Sequence, residues 1–114
     1  CHMGILPQYR GMDVVEWPFI ENKKNQVGIT CHLMDNGIDT GDIIEVNKVD
    51  PDKFLDFIEL REYLSGIMLK LMIKTISSIK KGDFKKKKQS KSEGKQYYVM
   101  HPTLKKITQK IYRK

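Results

Sequence analysis

Apolar residues recur in short groups along this chain, and the spacing within each group predicts a different element. Val27 to Met34 is rich in β-branched residues and roughly alternates, which predicts a strand. Asp35-Asn36-Gly37 then signals a turn. Ile43, Ile44, Val46 and Val49 mark a second strand over 43–49, so the two are expected to pair around an acidic loop at 35–42. From Pro51, beneath an Asp50 cap, the period lengthens. Phe57, Leu60, Leu64, Ile67 and Leu71 recur at three- and four-residue steps, which is the apolar face of a long helix over 54–81. Gly66 weakens that helix by about 1 kcal/mol relative to alanine, and Gly82 is placed to end it. A long helix of this kind packs across a sheet, so the pattern predicts an α/β layer.

The flanking segments carry weaker periods. Gly4 to Gly11 holds two glycines and a proline and predicts a loop. Asp13 is placed to cap a short helix running to Asn22, with Val14, Val15, Trp17 and Phe19 or Ile20 apolar and Pro18 shortening it. Residues 83–96 are lysine-rich without an apolar period and predict a mobile loop. Gln96 to Met100 predicts a short strand, and Pro102 opens an amphipathic helix carrying Leu104, Ile107 and Ile111.

With 114 residues, 39% hydrophobic and 31% charged, the chain is expected to be a single soluble domain with a modest core. Its longest mainly apolar stretch, 67–79, is broken by Lys70 and Lys74 and is shorter than the roughly 20 residues that span a bilayer. No export-type leader opens the chain and its two cysteines make no disulfide framework, so a cytoplasmic protein is expected. The net charge of +7 is unevenly placed. Residues 1–69 carry 6 basic against 12 acidic side chains, and residues 70–114 carry 15 against 2. The basic character therefore belongs to the C-terminal part.

Three motifs follow one another in the acidic front. His2-Met3-Gly4-Ile5-Leu6-Pro7-Gln8-Tyr9-Arg10-Gly11 precedes Gly28-Ile29-Thr30-Cys31-His32, and that precedes Ile38-Asp39-Thr40-Gly41-Asp42-Ile43-Ile44. In this order they resemble the folate-dependent formyltransferases, whose catalytic half carries H-x-x-L-L-P-x-Y-R-G, G-x-T-x-H and I-D-x-G-x-I-I. Ile5 replaces the first leucine. The resemblance implies the C-terminal part of a Rossmann-like α/β domain: a few-stranded mixed sheet, a long packing helix and a C-terminal helix. Residues 1–82 would be the second half of the catalytic domain, and 83–114 a basic loop with a strand and helix extension. The family's asparagine, two positions before the histidine, would fall ahead of Cys1, so the chain reads as a fragment, inactive alone.

The implied reaction moves a formyl group from 10-formyltetrahydrofolate to a primary amine. That needs an amine to lose a proton, a folate nitrogen to gain one, and a carbonyl oxygen to be stabilised as it becomes negative. By resemblance His2 moves the protons, and Asp39 sets its tautomer and raises its basicity. Met34, Asp35, Asn36, Gly37 and Ile38 correspond to the loop that approaches the folate pteridine, largely through backbone. For Gly37 an ordinary hairpin connection accounts for the glycine equally well. Tyr9, Arg10, Trp17 and His32 are the candidate acceptor-side residues. Arg10 could grip a phosphate bidentately or tie down its own loop, and Trp17 could stack on a ring or serve the core. The spacing from Arg10-Gly11 to Trp17 looks more like the sugar N-formyltransferases, which implies an amino-sugar nucleotide as acceptor. Methionyl-tRNA and phosphoribosylglycinamide formyltransferases are the alternatives, and a homodimer is possible in the full-length protein.

Other chemistries fit less well. With Asp35 as the first position of a calcium loop, Thr40 falls where glycine is required. Cys31 and His32 are adjacent on a strand, so they face opposite ways and do not share a zinc ion. His101 has no motif around it and is expected to be structural. The run Lys85 to Lys88, with Tyr97 and Tyr98, invites a basic module that binds nucleic acid or an acidic partner. No nucleic-acid fold motif accompanies it, and the run reads more simply as solvated surface.

Overall fold

A computed structural model describes residues 1–90 and 92–112. Its elements run β1 (Tyr9–Gly11), α1 (Trp17–Ile20), β2 (Gly28–His32), β3 (Ile43–Lys48), α2 (Phe57–Lys80), β4 (Lys95–Tyr97) and α3 (Pro102–Tyr112), with single 3-10 turns at Lys24–Gln26 and Pro51–Lys53. The expected mixed sheet is present as two separate ladders. β2 and β3 pair antiparallel, with Gly28 opposite Lys48, while β1 and β4 pair parallel, with Tyr9 opposite Lys95. Single bridges extend the first ladder on both sides: His2 pairs with Thr30, and Lys87 with Ile43.

The period of β2 sorts its side chains. Ile29 and Cys31 join Leu60, Leu64 and Leu71 of α2 in the main core, together with Val15, Phe19, Val27 and Phe57. Thr30 and His32 lie on the opposite face, as alternation along a strand requires. Three rings hold the helices together. Phe19 of α1 meets Phe57 of α2 edge-on at 4.9 Å and stacks on Tyr112 of α3 at 5.1 Å. A second cluster of Tyr9, Val14 and Tyr97 lies beneath the β1–β4 ladder. Residues 95–112 thus pack onto the front of the chain, through β4 on β1 and Tyr112 on Phe19.

Several expectations are corrected. Residues 9–11 form β1 instead of continuing a loop, because each pairs with a residue 86 positions downstream, beyond the reach of a local pattern. Asp13 does not cap α1. It adopts a left-handed backbone, φ 54°, and its carboxylate accepts the Met100 N–H at 2.7 Å and pairs with Lys105 at 3.3 Å. Asp50 caps only the turn at Pro51–Lys53, and α2 starts at Phe57 under Asp56, whose side chain accepts the Glu59 N–H. The helix ends as expected: Gly82 N–H bonds Ile79 O and Asp83 N–H bonds Ser78 O, the paired closure of a Schellman motif. In α3 the buried position is Thr108, with Ile111 half-buried and Ile107 exposed. The lysine-rich segment, whose Lys91 lies outside the described residues, is not wholly free. Lys87 exchanges two backbone bonds with Ile43, and Gln89 and Ser90 both bond Arg10.

Leu64 is fully buried and Ile73, on the same helix, is 62% exposed. In urea unfolding of the chain, Leu64→Ala is expected to lower stability by about 2 to 5 kcal/mol. Ile73→Ala is expected to change it by no more than about 0.5 kcal/mol. Equal losses at the two positions would contradict the packing described.

Candidate functional site

The site is assembled around the end of β2. Thr30, fully buried, donates its hydroxyl to Gly4 O at 2.7 Å and accepts the Leu6 N–H at 3.1 Å. Its backbone meanwhile exchanges two bonds with His2, at 2.7 and 2.9 Å. One threonine therefore fixes both His2 and the turn that follows it. His32, two residues along the same face, is carried to the same place.

Asp39 arrives from the loop between β2 and β3 and joins both imidazoles. Its Oδ1 lies 3.5 Å from His2 Nδ1 and 3.5 Å from His32 Nε2. Its Oδ2 accepts the Gly11 N–H at 2.9 Å. Only glycine fits at position 11: φ is +103°, and a Cβ there would lie 2.2 Å from Tyr97 O. Asp39 itself is held at φ +57°, a conformation uncommon outside glycine. His2 and Asp39, far apart in sequence, thus meet as the motif order implied.

The remaining ring nitrogens decide the tautomers. His2 Nε2 lies 2.9 Å from Tyr9 O and His32 Nδ1 lies 2.8 Å from Leu33 O. A carbonyl only accepts, so each of these nitrogens carries the proton of a neutral ring. His2 Nδ1 and His32 Nε2 are then bare, and both face the same carboxylate oxygen. A proton on either one relieves that opposition.

Environment selects which ring takes it. Burial pushes the His2 pKa down, against the pull of Tyr9 O and Asp39. The Asp39 contact raises that of His32, with burial opposing. Burial acts to raise the Asp39 pKa, yet the bonds from His32 and Gly11 and the charge of the imidazoles outweigh it and hold it below the usual value. Asp39 does act to make His2 more basic, as expected, but desolvation outweighs it there, whereas at His32 the carboxylate prevails.

The other candidate residues fall into two sets. Residues 34–38 stand out from the body as an exposed loop, with Met34 93% and Ile38 65% exposed. Asp35 Oδ1 accepts from Gly37 N–H at 2.9 Å and from the Thr40 hydroxyl at 2.6 Å. A Cβ on Gly37 would lie 2.1 Å from that hydroxyl, so this glycine makes room for the turn's own closure. Tyr9, Arg10 and Trp17 are instead engaged internally. Tyr9 is 2% exposed, stacks on Tyr97 at 5.0 Å and donates to Glu21 at 2.7 Å. Arg10, also buried, bonds Gln89 Oε1 and Ser90 O, which is the loop-tying alternative. Trp17, half-buried, packs on Tyr97 at 5.4 Å and donates its indole N–H to Tyr98 O. His101 is exposed and its Nδ1 accepts the Thr103 N–H at the start of α3.

Two contributors escaped the sequence reading. Gln89 donates to Asp39 O at 2.9 Å and Gly41 O at 2.6 Å, and nothing in its lysine-rich surroundings signals this. Glu21 accepts both the Tyr9 and Tyr97 hydroxyls, and its only signal was a carboxylate beside a short apolar helix.

A model of the formyl transferase family matches residues 1–76 of the chain, which belongs to that family. Methionyl-tRNA formyltransferase of Lachnospira eligens is 33% identical over 93% of this chain and 33% of its own length. That of Clostridium beijerinckii is 38% identical over 77% of the chain and 28% of its own length. The chain thus spans about a third of the curated relatives it matches. Among solved structures, the formyltransferase PseJ from Anoxybacillus kamchatkensis, in complex with UDP-4,6-dideoxy-4-formamido-L-AltNAc and tetrahydrofolate, superposes with a TM-score of 0.71 at 28% identity. That likeness covers 86% of this chain and 50% of the other. A 4-N formyltransferase from Francisella tularensis shares the fold, with a TM-score of 0.73 at 23% identity over 98% of this chain and 49% of its own.

In an NMR titration of the imidazoles, His2 is expected to lose its proton below the ordinary pH of 6.5 and His32 above it. Asp39→Asn should bring His32 back down. The linkage follows from the directions. The stability His32 contributes is complete below 6.5 and fades as pH rises through its raised folded pKa. That from Asp39 is present above 3.8 and lost as pH falls through its lowered one. His2 acts against folding as pH falls below 6.5, because its folded form resists the proton. The opposite order of the two midpoints would refute the desolvation argument.

Proposed function

We propose that this site serves the transfer of a formyl group from 10-formyltetrahydrofolate to a primary amine. The observation that carries the reading is the convergence of His2, Asp39 and His32 on one carboxylate oxygen, within residues matched to the formyl transferase family. Because burial keeps His2 neutral near pH 7, its bare Nδ1 can take the proton an amine loses on attacking the formyl carbon. The Asp39 carboxylate stabilises the imidazolium so formed, and Tyr9 O keeps the ring in place through Nε2. His2 then returns that proton to the departing folate nitrogen as the old C–N bond breaks. The donor supplies the formyl carbon and the leaving nitrogen. Residues 34–38 suit its flat ring, since Met34 and Ile38 expose apolar surface beside a turn that Asp35 holds rigid.

For the acceptor, an amino-sugar nucleotide is the first reading, supported by the ligand of PseJ at 28% identity. The spacing from Arg10-Gly11 to Trp17 supports it as well, with Trp17 half-buried against Tyr97. Methionyl-tRNA is the second, supported by the curated relatives and by the 15 basic against 2 acidic side chains of residues 70–114.

The test is folate-dependent formylation of both acceptor classes by the full-length protein. His2→Ala or Asp39→Ala is expected to lower kcat/KM by about a hundredfold or more. Wild-type kcat/KM should fall as pH drops through the lowered pKa of His2. Replacing Lys85 to Lys88 by serine should leave turnover of a sugar nucleotide unchanged. If tRNA is the acceptor, the same change should weaken its binding and flatten the salt dependence. Full turnover by both site variants would refute the assignment.

A further inference from the structure

Gln89 uses its whole side-chain amide. Both of its amide hydrogens are engaged, one by Asp39 O at 2.9 Å and one by Gly41 O at 2.6 Å. Its Oε1 accepts from Arg10 at Nη2, 2.8 Å, and at Nε, 3.3 Å. The neighbouring Ser90 O accepts from Arg10 Nη2 as well, at 2.8 Å. These bonds span 50 residues to Asp39 and 79 to Arg10.

The geometry they hold is one Asp39 would not adopt by itself. At φ +57° its backbone persists only if the surroundings over-determine it. Two anchors are present, and both run to β1. The carboxylate is held by Gly11 N–H, and the carbonyl by Gln89, which is in turn held by Arg10. The groups facing Asp39 are therefore His2, His32 and Gly11 N–H on its side chain, with Gln89 behind its backbone.

We propose that Gln89 is a positioning residue that locks the 39–41 backbone to Arg10 of β1, so that the Asp39 carboxylate faces both imidazoles. The consequence for catalysis rests on the formyl-transfer reading, but the positioning does not. Gln89→Ala removes the four bonds of the Gln89 side chain and leaves the one from Arg10 to Ser90 O. Gln89→Glu keeps the size and the bond from Arg10, yet its carboxylate has no hydrogens for the two carbonyls, so it isolates the Asp39 arm.

NMR titration of His2 and His32 in the 114-residue chain tests the positioning. In both variants the His32 midpoint is expected to move down towards 6.5, because its carboxylate partner is no longer held. Lys88→Ala, one residue away, should leave it in place. Should Gln89→Ala fail to fold, Gln89→Glu carries the same readout. An unchanged His32 midpoint in folded Gln89→Glu would overturn the proposal and leave the formyl-transfer reading untouched. In the full-length protein either variant is expected to lower kcat roughly ten- to hundredfold, the cost of a displaced catalytic group, with KM little changed. Full turnover by His2→Ala there would instead overturn the formyl-transfer reading, leaving the titration result on Gln89 standing.

Discussion

The site depends on one carboxylate held in a backbone conformation it would not choose. Asp39 offers Oδ1 to two imidazoles and Oδ2 to Gly11 N–H, from a left-handed φ of +57°. Its partners are fixed by two parts of the chain, His2 and His32 by β2 and Gly11 by β1, while Gln89 holds the Asp39 backbone. The β1–β4 ladder and the β2–β3 ladder share no strand. Asp39 is one of the places where they are joined, since its loop leaves β2 and its bonds end on β1. The core beneath β2 matters to the chemistry for this reason. Ile29 and Cys31 packed on α2 set which way Thr30 and His32 face.

Elements specified by their own residues were legible in the sequence. The alternation of 27–34, the apolar steps of 57–71 and the glycine at 82 each encode a local structure, and each appears within a few residues of the expected place. What failed was non-local. β1 exists only because Lys95–Tyr97 lies beside it, and Asp13 serves Met100 and Lys105 in place of a helix N-terminus. Asp50 followed by Pro51 carries a genuine start signal. It opens a single turn because α2 has a second cap at Asp56, whose carboxylate takes the Glu59 N–H.

The site divides along the same line. The meeting of His2 and His32 with Asp39 was legible through motif order, since all three positions belong to the motifs read from the sequence. Whether Arg10, Tyr9 and Trp17 face a ligand or the interior is a question about burial, and residue type does not answer it. A tyrosine whose hydroxyl meets Glu21 and an arginine whose guanidinium meets Gln89 and Ser90 are polar groups satisfied inside the fold, as buried polar groups must be. Gln89 was illegible for the plainest reason. Its amide hydrogens go to backbone carbonyls, which every residue has, and its one side-chain partner, Arg10, lies 79 residues away.

Sharing one carboxylate between two histidines also separates their tasks. If both rings were equally solvated, Asp39 would raise both pKa values alike and the two would compete for one proton. Desolvation leads at His2 and the hydrogen bond with Asp39 leads at His32, so His2 falls below the ordinary value and His32 rises above it. Titratable neighbours driven apart in this way supply a base and a charged partner at a single pH. His2 is then the ring that loses its proton first as pH rises, while His32 keeps its own to a higher pH beside the Asp39 carboxylate. A proton gained by His2 meets a carboxylate already in position, which offsets part of the cost that burial sets on the new charge. The arrangement works only while Oδ1 stays within reach of both rings, which returns the burden to the backbone of residues 39–41.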